Sequence, residues 1–224
     1  MKKTSGLYFH IPFCHSKCNY CNFYSMVNNS TLNDFTSSLK KEIISRKNEI
    51  NTEISTIYFG GGTPSLLSID WYKDIFEILS LHYKINSNAE ITIETNPEDL
   101  TILYLKDISQ IFNRLSIGVQ SFDEENLRYL KRNHNAQKAI SSIKEAQNIG
   151  LTNISIDLIY GIPSNHKNSF QSDVRTFLSL QVPHLSAYAL SIEKGTKLQI
   201  DIEKQRINIP NEDNAVTEYQ WLMD

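Results

Sequence analysis

Apolar residues recur along the chain with two alternating periods. Leu7–Ile11 reads as a strand, with His10 set between its apolar positions. Leu32, Phe35, Leu39 and Ile43 follow at the spacing of one helix face. The succession then repeats. Thr56–Phe59 predicts a second strand, and the next helix has Ser68 as its cap and Trp71, Ile75, Ile78 and Leu79 on its apolar side. Ile91–Glu94 is a third strand, after which Thr101 caps a helix carrying Leu105 and Ile108. Arg114–Val119 is a fourth, followed by helical stretches at Glu124–Leu130 and Ala136–Ile149, the latter closed by Gly150. Ile154–Ile159 is a fifth, ending near Gly161 and Pro163. Phe170, Val174, Phe177 and Leu178 then line a helix, and Leu185–Leu190 is a sixth strand.

Six strands, each followed by a helix or a return, predict an α/β fold with a parallel sheet and helices outside it. Right-handed crossovers curve such a sheet toward a barrel, but a full eight-unit barrel takes ~250 residues. This chain has 224 residues and six strands, so the expected architecture is a partial, open (β/α)6 TIM-like barrel. After Pro210, Ala215, Tyr219 and Leu222 recur at helical spacing and the chain stops inside that pattern. The expected division is a core domain over 1–198 and a segment, 199–224, that starts a connection to a C-terminal region missing from this sequence.

Charge excludes some functions. The 22 basic and 25 acidic residues are interspersed and leave a net charge of −3, which is no footprint for nucleic acid. Lys131–Arg132 is too small a pair to supply one. No run approaches the ~20 apolar residues of a membrane span, and Leu7–Phe13 is too short and polar for a secretory signal. The expectation is a cytoplasmic protein, with peripheral membrane association at most, in a compartment that keeps thiols reduced.

The cysteines change the picture. All three lie in Cys14-His-Ser-Lys-Cys18-Asn-Tyr-Cys21. Three thiols cannot pair evenly, and neighbours this close would form strained loops. Thiolates four and three residues apart can converge on a metal centre, and a four-iron cluster held there would keep one iron without a protein ligand. Zinc with His10 or His15 as a fourth ligand, and inert packed thiols, are the alternatives.

Functional groups in parallel α/β folds gather at the carboxyl ends of strands. Gly60-Gly61-Gly62 either brings bare backbone to a ligand or makes a tight turn with positive φ. Glu94 can accept from ribose hydroxyls or stand as a surface carboxylate, and Gln120 divides the same way. Asp157 sits inside an apolar strand, where an unpartnered charge is costly, so it serves a ligand or bonds to a neighbouring strand. His10 is expected to face the barrel interior as a satisfied core histidine, His134 to belong to a polar helix start, and Arg132 to meet a ligand carboxylate.

Together, Tyr8-Phe-His-Ile-Pro-Phe before the cysteine loop, Gly60-Gly-Gly-Thr-Pro, Ile93-Glu-Thr-Asn-Pro, Ile117-Gly-Val-Gln-Ser-Phe and Ile156-Asp-Leu-Ile-Tyr-Gly-Ile-Pro resemble the radical S-adenosylmethionine (SAM) superfamily. The branch they resemble comprises the oxygen-independent coproporphyrinogen III oxidases (dehydrogenases) and the HemW-type heme chaperones, and the likeness runs from Leu7 to about Leu198. The resemblance implies a [4Fe-4S] cluster on Cys14, Cys18 and Cys21, with exchangeable SAM on its open iron. It places Tyr8, Gly61 and Glu94 around that SAM. Tyr20, Gly62, Thr63, Gln120, Arg132, Asp157 and Ala189 match positions that contact a second SAM in the dehydrogenases. It also implies one-electron cleavage of SAM, fed by a donor such as flavodoxin or ferredoxin. Two departures choose between the sub-families. Phe23 stands where the dehydrogenases carry a fourth cysteine, and little chain precedes the cysteine loop. Both point to a chaperone that binds heme as cargo and transfers it to an acceptor protein. The alternative is a dehydrogenase that oxidatively decarboxylates coproporphyrinogen III.

Overall fold

The computed structural model describes residues 3–166 and 168–224. Six strands, β1 (Thr4–Ile11), β2 (Glu53–Gly61), β3 (Ile85–Thr95), β4 (Arg114–Gln120), β5 (Ile154–Tyr160) and β6 (His184–Ala189), form one sheet in sequence order. Every pairing is parallel. The helices α1 (Leu32–Ser45), α2 (Ile69–His82), α3 (Ile102–Ile108), α4 (Glu124–Tyr129), α5 (Ala136–Asn148) and α6 (Ser169–Ser179) supply the crossovers, and the sheet curves into a half-barrel. The capping expectations hold: Ser68 accepts from the Trp71 N–H and Thr101 from the Tyr104 N–H.

A parallel sheet covered on both faces reads as continuous apolar strands. These strands alternate instead, and the reason is their position. Phe9, Ile11, Ile57, Phe59, Ile93, Leu115, Ile117, Ile156 and Leu158 point to the helix side and are buried. Phe59 anchors that side, stacked on Phe9 at 4.7 Å and edge-on to Tyr72 and Phe112. The inner side carries Tyr8, His10, Tyr58, Glu94, Ser116 and Asp157, too polar to pack as a closed barrel core. The result is a polar hollow.

One expectation is corrected. Leu178 is 63% exposed, because the covered face of α6 runs through Phe170, Val174 and Phe177, and Leu178 lies about 100° round the helix from Phe177. Asp173 takes the buried position beside Val174. Helix α7 (Lys197–Glu203), unforeseen in the apolar pattern, is capped by Thr196 and buries Leu198 and Asp201. The final helix, α8 (Glu212–Met223), packs against α6 and the end of β5: Tyr219 stacks on Tyr160 at 6.1 Å and Glu218 accepts from the Gly161 N–H at 2.6 Å. Among the described residues no helix is long and apolar enough to cross a membrane.

Candidate functional site

The carboxyl ends of the strands open into a cavity of about 510 Å³, within the usual range for a small-molecule site. The cysteine loop forms one wall. Its base is closed by the Phe13–Met26 bridge, where the Cys14 N–H donates to the Met26 carbonyl and the Met26 N–H to that of Pro12. Asn19, 1% exposed between Cys18 and Tyr20, pins the loop on its other side. Its Nδ2 donates to the Tyr129 carbonyl at 2.8 Å, and its own carbonyl accepts from the Leu198 N–H at 2.8 Å. Helix α7 therefore braces the thiols. Sequence reasoning passed over Asn19, since nothing local separates a buried asparagine from a loop one.

The triple glycine packs strand to strand. The Gly62 and Thr63 N–H groups donate to the Ile11 and Phe13 carbonyls, and a Cβ on Gly62 would sit 2.5 Å from the Phe13 oxygen. Gly61, at φ 111°, would press a Cβ to 2.5 Å from the His10 ring. Close approach of β2 to the start of the cysteine loop is thus one reason for glycine here, and the bare backbone of Gly61 and Gly62 also lines the cavity. Gly62→Ala is expected to wedge the two segments apart, with a loss of about 1–3 kcal/mol by overpacking and a lower iron content after anaerobic reconstitution. Urea unfolding and iron analysis measure both.

Twelve of the thirteen residues singled out from the sequence line this one cavity: Cys14, Cys18, Cys21, Tyr20, Gly61, Gly62, Thr63, Glu94, Gln120, Arg132, Asp157 and Ala189. Tyr8 does not. It is 60% exposed and stacks on Tyr58 at 5.8 Å. His10 is exposed rather than a core residue, its Nε2 3.3 Å from the Tyr24 carbonyl. His134 is corrected the other way. It is buried, with Nδ1 3.1 Å from Glu98 and Nε2 3.0 Å from the Val119 carbonyl, and joins the exits of β3 and β4.

Arg132 organises the floor. Its guanidinium donates to the Asn96 side-chain oxygen, to the Gly118 carbonyl at 2.8 Å and to the Cys18 sulfur at 3.2 Å. Nε is enclosed without a protein partner. Glu98 lies nearby and titrates below the ordinary carboxylate range: burial alone would raise it, but the His134 bond and the Arg132 charge outweigh that. Glu94 accepts from Tyr58 Oη at 2.8 Å and from the Gly61 N–H at 2.9 Å, and each oxygen retains a lone pair for a ligand.

Asp157 has the partner its strand position called for, Ser186 of β6. Burial, and then the Glu94 charge, still raises its carboxyl to about 6. Folding therefore favours the protonated form. The contribution is complete below 3.8, the ordinary aspartate value, and is lost as pH climbs through about 6. Asp157→Asn is expected to stabilise the metal-free protein at pH 8 by up to about 3 kcal/mol, with the gain vanishing below pH ~4. Denaturation midpoints across that range are the check.

The donor set fits an iron–sulfur cluster. All three thiols are free and partly buried, and burial pushes Cys21 up in the absence of a metal. Among the described residues no three His, Cys, Asp or Glu groups converge tightly enough to share a single ion. Thiolates on a four-iron cluster each take a different iron and stand farther apart than ligands of one ion. Of the two alternative zinc ligands, His15 is engaged at 2.8 Å by Asp99, and His10 Nε2 lies 3.3 Å from the Tyr24 carbonyl. The enclosed Arg132 Nε, the free lone pairs of Glu94 and the glycine-lined wall suit a polar ligand beside the cluster.

Comparison with known proteins agrees with this geometry. The model of the radical SAM superfamily matches residues 8–177. The chain is 33% identical to the heme chaperone HemW of Lactococcus lactis, over all of this chain and 59% of that protein. It is 32% identical to HemW of Bacillus subtilis, over 96% of this chain and 58% of that one. It thus spans less than two thirds of these relatives. The coproporphyrinogen III oxidase HemN of Escherichia coli, a radical SAM enzyme, superposes with a TM-score of 0.85 at 28% identity, over 99% of this chain and 52% of its own. A family match over most of the chain, a half-barrel of six parallel strands and three thiols at its mouth lead to one conclusion: the chain belongs to the radical SAM superfamily, which implies a [4Fe-4S] cluster and SAM.

Proposed function

We propose that this chain is the radical SAM part of a heme chaperone, which binds heme and passes it to an acceptor protein. The likeness to two HemW proteins over essentially the whole chain carries the reading, and Phe23 in place of a fourth cysteine agrees with it. On this reading residues 1–198 are the core domain and 199–224 lead toward a further region.

Cys14, Cys18 and Cys21 would hold the cluster. Tyr8, Gly61 and Glu94 would surround SAM, and Tyr20, Gly62, Thr63, Gln120, Arg132, Asp157 and Ala189 would extend the binding surface. One-electron reductive cleavage of the SAM sulfonium is the chemistry the pair supplies when bound, with the electron coming from a flavodoxin or ferredoxin. The chain's own part is positioning. Glu94, oriented by Tyr58 and the Gly61 N–H, offers acceptors to hydroxyl or ammonium groups. Arg132 donates toward the thiol loop and fixes Cys18. Tyr20 lies beside Leu130, Ile159 and Ile162, an apolar patch that keeps water from that side of the cavity.

The structural likeness to HemN supports one rival, coproporphyrinogen III dehydrogenation. The full-length protein, reconstituted anaerobically, is expected to bind heme stoichiometrically in an absorbance titration and to leave coproporphyrinogen III unchanged. Formation of protoporphyrinogen would replace the chaperone reading with the enzyme one.

A further inference from the structure

Asp173 is a buried carboxylate that the chemistry above does not use. It stands on α6, 1% exposed, yet both of its oxygens are taken by the turn that leaves β4. Ser121 Oγ donates to Oδ2 at 2.6 Å, and the Phe122 backbone N–H donates to Oδ1 at 2.7 Å. Ser121 has no other use for its hydrogen. Its oxygen already accepts from the Asp123 N–H at 3.0 Å and from Asn126 Nδ2 at 3.2 Å, which occupies both lone pairs.

The residue just before this pair is Gln120, at φ 69°. A left-handed backbone is strained for a non-glycine residue and persists only where its surroundings enforce it. The register of β4 on β5 also breaks there: Ile117 faces Ile156, but Gln120 faces Leu158. An irregularity of this kind re-aims a side chain. Here the chain turns Gln120 into the cavity, and Gly118 makes room, since a Cβ on it would lie 2.9 Å from Gln120 Nε2.

We propose that Asp173 is a positioning residue: its bonds to Ser121 and Phe122 hold Gln120 left-handed with its amide in the cavity, so that ligand binding depends on a carboxylate from the next βα unit. This rests on the reading of Gln120 as a SAM contact. The ionised carboxylate is the form that accepts well at both oxygens. Burial raises Asp173 to about 7 against the pull of the Ser121 and Phe122 bonds, with Asp123 of the same turn and Glu218 of α8 adding repulsion. The clamp accordingly holds on the alkaline side of that value and slackens as pH falls through it.

The test is equilibrium binding of SAM to the anaerobically reconstituted protein. Wild type, Gln120→Ala, Asp173→Asn and the double variant are compared, with thermal melting followed alongside. Each single variant is expected to bind about tenfold more weakly. The double variant should be no weaker than Gln120→Ala alone, because the clamp acts through that amide. Wild-type affinity should fall below pH ~7, and Asp173→Asn should flatten that part of the profile. Losses that multiply in the double variant overturn the proposal, as does an Asp173→Asn protein with wild-type affinity or an unchanged pH profile. Full affinity in Gln120→Ala overturns it too, and only that outcome also strikes the reading of Gln120 as a contact. Should Asp173→Asn not fold, Ser121→Ala, which removes one of the two donors, takes its place in the affinity comparisons: wild-type affinity, or a loss that multiplies with that of Gln120→Ala, overturns the proposal.

Discussion

Cys18→Ala is expected to leave the protein without iron–sulfur absorbance. The chain has three cysteines and no fourth to step in. The nearest histidine in the loop, His15, is held by Asp99 at 2.8 Å, and Asp99 also accepts from Ser65 Oγ at 2.6 Å, so that contact is itself anchored. Two thiolates then remain for a cluster that needs three. The variant carries a second effect, seen without iron. The Cys18 sulfur accepts from Arg132 Nη1, and Arg132 Nε already lacks a partner. Taking another acceptor from an enclosed guanidinium costs about 1–3 kcal/mol. Cys14→Ala should lose the iron equally but spare the metal-free protein that penalty, since the guanidinium donates to Cys18, Asn96 and Gly118 instead. Iron and sulfide per chain, absorbance after reconstitution and urea midpoints of the metal-free proteins separate the two effects. Iron retained by Cys18→Ala, or zinc alone in the wild type, would remove the ligand assignment.

Arg132→Leu is expected to cost about 3–5 kcal/mol of stability even without cofactors. The guanidinium joins three segments remote from one another: the exit of β3 through Asn96, the end of β4 through Gly118 and the thiol loop through Cys18. Leucine fills part of the space and abandons three acceptors. It also withdraws the positive charge that helps keep Glu98 ionised, so the Glu98 carboxyl should titrate higher in the variant. Arg132→Lys is expected to recover little, because one ammonium on a flexible stem cannot match a planar fork. Denaturant midpoints and the acid limb of the stability profile measure this. An Arg132→Leu protein as stable as its parent would show the network to be idle.

Much of this site was legible in the chain. The thiol spacing, the glycine run and the acidic residues at strand ends are local facts, and strand ends converge by the geometry of any parallel α/β sheet. Ser68 and Thr101 were readable as caps because a cap acts over three residues. His134, Asn19 and Asp173 were not, because a polar residue announces its burial only through partners supplied from elsewhere. The stacking of Tyr8 on Tyr58 was not legible either, because it depends on the register of two strands remote in sequence.

The sequence by itself determined the order of six strands and their helices, and with it a loop of three thiols at the sheet's open end. Those features follow from periodicity and short-range spacing, which the backbone converts directly into geometry. Only the tertiary structure decided that the inner sheet face is a polar hollow, that Arg132 grips a sulfur 114 residues away and that Asp173 holds a turn 52 residues before it. Such pairings depend on strand register and crossover packing. A one-residue shift of register would turn every side chain of a strand to its other face.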